Sequence, residues 1–112
     1  MFGSNENEMQ HLVKKHQWDK IGKKLVNADV QTKVDCAAAC GCSADETASE
    51  FLINLLKDGN ESVQLQAVES LGEVGREHTK THLQWLLGSL PDGKDAIKKA
   101  IQDSIIKINK RK

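Results

Sequence analysis

The sequence predicts an all-α fold, a short right-handed α-solenoid of about three helix pairs with an N-terminal cap helix. Three observations predict it. The chain repeats itself at an offset of 31 to 34 residues. Each repeated block carries apolar residues at i, i+4 and i+8, the stripe of a helix that buries one face. Turn residues separate the blocks, while a single proline and the absence of tyrosine leave little to build a sheet.

The elements follow in order. A cap helix is expected over roughly 6–16, with Met9, Leu12 and Val13 on its apolar side. The first unit, 17–42, opens with a short helix from Trp18 to Val26, which Asn27-Ala28-Asp29 ends. Its second helix contains Cys36, Ala37 and Cys40, followed by Gly41. The second unit, 43–75, begins with Ser43-Ala-Asp-Glu46, which reads as a capping box for a helix carrying Ala48, Phe51, Leu52, Leu55 and Leu56. Asp58-Gly59-Asn60 stops that helix and supplies an N-cap for the next. Ala67, Val68, Leu71 and Gly72 in that next helix overlie Cys36, Ala37, Cys40 and Gly41. The third unit, 78–110, has Leu83, Leu86, Leu87 and Leu90 on its first helix, a break at Pro91-Asp92-Gly93, and Ile97, Ile101, Ile105 and Ile108 on its second. All 112 residues are read as one repeat domain.

Composition narrows the function classes. Sixteen bases balance sixteen acids, but unevenly: residues 1–34 carry +2, residues 35–77 carry −7 and residues 78–112 carry +5. An acidic middle between basic ends disfavours nucleic acid, whose binders present one dominant basic face. The start of the chain lacks a basic stretch followed by an apolar one, so no signal peptide is expected. No apolar run is long enough to span a bilayer, and cytoplasmic placement follows as the default.

Ala67-Val-Glu-Ser-Leu-Gly-Glu-Val-Gly75, after an Asp-Gly-Asn turn and Val63, resembles the second helix of short HEAT-like repeats of the phycobilisome-lyase type. The resemblance covers about residues 17–110 and implies a helical repeat stack. It marks fold rather than activity, since such repeats occur in lyase subunits, scaffolds and enzymes. Trp18-Asp-Lys-Ile21-Gly22-Lys-Lys-Leu25 matches the opening of a tetratricopeptide repeat, but Asn54 and Asp58 stand where that pattern wants Leu and an aromatic.

Chemistry is sparse. Cys36, Cys40 and Cys42 lack metal-ligand spacing, and the first two occupy positions filled by Ala67 and Leu71, so they are expected to be buried and unligated, with Cys42 exposed. The resemblance to HEAT-like oxygenases implies no iron, because Glu77-His78 is reversed and occurs once. No nucleophile elbow or phosphate loop is present. Catalytic residues, metals and cofactors are therefore expected to be absent. Trp18 and Trp85 are expected to pack on the core, and Lys107–Lys112 to form a solvated tail.

The expected function is a protein-binding adaptor or scaffold that uses the groove of its second helices; the alternative is a non-catalytic accessory subunit of a lyase-type enzyme. Three rows of side chains are expected to line the groove: Val34, Leu65 and Lys99; Ala38, Glu69 and Asp103; Cys42, Glu73 and Lys107. Val34, Ala38 and Cys42 would form an apolar shelf, while Leu65 edges an acidic ridge of Glu69 and Glu73 that Glu77 extends at i+8. A protein or peptide partner with apolar and basic side chains suits that surface, whereas nucleic acid and membrane do not. Ile106 lies off the isoleucine stripe, and weak self-association or docking to a larger chain is expected through it.

Overall fold

The computed structural model describes residues 7–111. Among them it has seven helices and no strand: α1 (Glu8–Lys14), α2 (Trp18–Leu25), α3 (Val30–Cys40), α4 (Glu46–Leu55), α5 (Glu61–Val74), α6 (Thr79–Ser89) and α7 (Asp95–Lys110). The chain is thus all-α, and each helix falls within a span expected from periodicity. The start of the expected cap helix, residue 6, lies outside the described residues, as does Lys112.

Local chemistry sets the boundaries. Asn7 caps α1 by accepting from the Gln10 N–H at 2.8 Å, and the Gln10 side chain accepts the Asn7 N–H at 2.7 Å. At the other end of α1, the Gln17 N–H reaches the Leu12 carbonyl and the His16 N–H the Val13 carbonyl. That pairing needs a left-handed residue between them, and His16 supplies it with φ 56°. Asp29 caps α3 through the Thr32 N–H, and Asn60 caps α5 through the Val63 N–H. The capping box expected at Ser43 does not form. Asp45 caps α4 instead, accepting from the Thr47 N–H at 2.8 Å, while the Ser43 hydroxyl accepts from the Asp45 N–H. A carboxylate one residue before the first helical turn meets the exposed N–H groups directly, which a serine two residues earlier cannot.

Packing separates the helices into two layers. The second helices α3, α5 and α7 form a continuous inner row, with α5 against both neighbours, and α1 covers the outer side of α3. The first helices pack outside them: α4 against α3 and α5, and α6 against α7. Ile21, Leu52, Leu56, Val63, Leu71, Leu83, Ile97 and Ile101 are fully buried in the core between the two rows.

Within the inner row, neighbouring helices touch through a recurring contact. The buried Ser70 hydroxyl donates to the Ala37 carbonyl at 2.8 Å, and the buried Ser104 hydroxyl donates to the Val68 carbonyl at 2.8 Å. A glycine makes room each time. A Cβ on Gly41 would lie 2.5 Å from Ser70 Oγ, and one on Gly72 would lie 2.6 Å from Ser104 Oγ. The glycines that the repeat alignment pairs are therefore spacers that let one helix backbone approach the next.

Arg111 corrects the expectation of a frayed tail. α7 continues to Lys110, and the Arg111 guanidinium donates to the Gly72 carbonyl at 2.5 Å and to the Gly75 carbonyl. Carbonyls at the C-terminal end of α5 lack helical partners, so a cation there satisfies them and complements the helix dipole.

Candidate partner-binding groove

The exposed side of the inner row is an open groove of about 910 Å³. Five of the six residues expected to face a partner line it: Ala38 and Cys42 from α3 and its end, and Leu65, Glu69 and Glu73 from α5. Lys99, Asp103 and Lys107 of α7 line it as well, so all three layers contribute. Val34 does not. Its side chain is half-buried against the core, leaving Ala38 as the apolar part of the first layer's shelf. Gly41 and the edges of the buried Ser70 and Ser104 form part of the floor.

Charge in the groove differs from the expected acidic ridge. α5 ends at Val74, so Glu77 leaves the row and pairs with Lys80 at 2.7 Å. Glu73 reaches across to Lys107 at 2.7 Å. The hydrogen bond from Lys107, and then its charge, hold the Glu73 carboxyl below the usual range, and Arg111 adds to this. In turn Glu73 raises the Lys107 ammonium above its ordinary value, with smaller contributions from Asp103 and Glu69. Lys99 and Asp103 pair along α7 at 3.3 Å. Among the described residues Glu69 is left with no ion pair within 4.0 Å. The groove is thus neutralised toward α7 and keeps one unpaired acid beside Leu65. Periodicity placed the acids on one face but carried no information on which lysine would cross from the next layer.

Elsewhere the surface holds less. Between α2 and α4 lies a smaller cleft of about 550 Å³ with Trp18 and Phe51 in its wall, their rings 6.1 Å apart. Trp18 packs on the core as expected. Trp85 does not: it is 51% exposed, because α6 turns Leu83 and Leu86 inward and a residue two positions after Leu83 points the other way. Cys36 and Cys40 are buried, and Cys42 is exposed. A hydrogen bond with Cys36, together with burial, raises the Cys40 thiol far above its ordinary value. Among the described residues no three His, Cys, Asp or Glu side chains gather as a metal site, and no helix is long and apolar enough to cross a membrane.

Comparison with known proteins gives one match. A family profile described as HEAT repeats matches residues 19–106, which spans α2 through most of α7. The narrower likeness to the phycobilisome-lyase kind has no counterpart in that match. No curated protein matches the chain, and no solved structure does.

Proposed function

Because this chain belongs to the HEAT-repeat family, whose members commonly act as protein-interaction scaffolds, we propose that it is a non-catalytic adaptor that holds a protein segment in the groove of α3, α5 and α7. The observation that carries the reading is the convergence of Ala38, Leu65 and Glu69 on one open surface shared with α7. Leu65 and Ala38 offer apolar contact, while the unpaired Glu69 favours a Lys or Arg neighbour on the bound segment. Acids and bases alternate in this groove, which suits a protein partner better than a phosphate backbone.

Capture of partners by the tagged full chain, read by quantitative mass spectrometry, tests this. Leu65→Gln and Glu69→Lys change the groove, whereas Glu50→Lys changes the outer cleft. The expected result is one and the same protein lost by both groove variants and retained by Glu50→Lys. Retention by both groove variants, with helical content intact, would end the groove reading. Binding to duplex DNA that weakens steeply with salt would replace the protein partner with nucleic acid.

A further inference from the structure

Position 106 departs from a pattern that the inner layers share. Gly41, directly after α3, and Gly72, in α5, occupy equivalent places in the repeat, and each admits the serine of the following layer. Ser70 and Ser104 are equivalent as well, and so are the carbonyls they donate to, those of Ala37 and Val68. The offset of 34 residues that carries Ser70 onto Ser104 carries Gly72 onto Ile106 and Val68 onto Gln102. Ala37 and Val68 are buried under the next layer, whereas Gln102 is exposed and Ile106 is 50% exposed. At the opposite end Ala39 stands at the serine position with no hydroxyl to donate, buried on the helix that α1 covers.

We infer that Ile106 is a stop residue: it closes this face of α7 to a further HEAT layer at the approach the inner layers use, whether a second copy or a following segment offers that layer. The steric ground is direct. One added carbon on Gly72 would stand 2.6 Å from Ser104 Oγ, 3.0 Å from its Cβ and 3.1 Å from its Cα. Turning the serine hydroxyl relieves only the first of these, so the backbones must separate. Isoleucine brings that carbon and three more, and its β-branch leaves one strongly preferred rotamer in a helix. The exposed Gln102 also removes the apolar contact that Val68 makes. Self-association through Ile106 would therefore have to use a contact of another kind.

The test adds a layer. A second copy of residues 75–111 is fused after Ile108, so that the junction repeats the one following Val74. Hydrogen exchange of the added amides is compared in two hosts, the natural one and Ile106→Gly. Protection of the added helices should be at least about tenfold greater in the Ile106→Gly host. Equal protection in both hosts, or protection in neither, overturns the inference. A second variant needs no added layer: Gly72→Ile in the full chain should strip protection from α6 and α7 while α3 and α4 keep theirs. An α7 that stays protected in Gly72→Ile overturns the inference as well.

Discussion

Gly72 and Ser104 approach so closely that a methyl group on the glycine would stand 2.6 Å from the serine Oγ, well inside van der Waals contact. The two residues make different contributions to one interface. Gly72→Ala should cost about 1–3 kcal/mol, since it forces apart two packed backbones and outweighs the better helix propensity of alanine. Ser104→Ala should cost less, roughly 0.5–1.5 kcal/mol, because the Val68 carbonyl keeps its place in the helix ladder when the hydroxyl is lost. Urea denaturation of the two variants checks the order; a milder Gly72→Ala would contradict the spacer role.

Lys33 and Asp58 tie α3 to the turn that ends α4, with Nζ and Oδ2 2.7 Å apart and both side chains largely covered. The Lys33 hydrogen bond, with a further bond from the Asn60 N–H, holds the Asp58 carboxyl below its ordinary value. A lowered carboxylate pKa stabilises the fold above the unfolded-state value, and that stabilisation is lost as pH falls through the lower folded value. Asp58→Asn should therefore cost about 1–2 kcal/mol at pH 7. The gap between variant and natural protein should begin to narrow as pH falls below about 4, the unfolded-state value, and go on narrowing through the lower folded value. Melting curves from pH 7 into acid measure it, and a gap that does not shrink at all as pH falls below about 4 would refute the ionic origin.

Arg111 should be worth more than its position near the end of the sequence suggests. Arg111→Ala removes donors from the Gly72 and Gly75 carbonyls and should lower stability by about 1–2 kcal/mol. Lys110→Ala, which changes an exposed neighbour, should stay within about 0.5 kcal/mol. Thermal melts of the pair decide the matter.

Thiol labelling under native conditions should modify Cys42 rapidly and leave Cys36 and Cys40 unmodified until the protein unfolds. Mass spectrometry after timed alkylation reads one added group in the folded chain. A second group appearing at the same rate would mean that α3 opens far more readily than its burial implies.

Much of the architecture was legible because helical periodicity and turn chemistry act within a few residues. The stripes of Leu83/Leu86 and Ile97/Ile101 and the cap at Asn60 are local facts, and the structure has them where the sequence puts them. Relations between layers were harder to read. Gly41 and Gly72 stood out in the repeat alignment, but their partners Ser70 and Ser104 did not, because the first layer carries Ala39 at that position. The groove residues were nearly all placed, since a face pointing away from the core is again a matter of periodicity. Val34 failed because a half-buried position at the edge of a helix face depends on how neighbouring helices rotate against each other. Ser43 lost the cap to Asp45 through competition between two neighbouring acceptors, which composition alone does not rank.

The serine contacts that join the layers link residues 33 and 36 positions apart, so each new layer closes a loop of nearly the same length. The entropy lost in that closure grows only with the logarithm of loop length, and it is similar at every step. Assembly can therefore begin at the central helix α5, which touches α3, α4 and α7, and spread outward in either direction without a distant pairing to wait for. Opening should run in the reverse sense, with α6, held mainly through α7, among the first helices to leave.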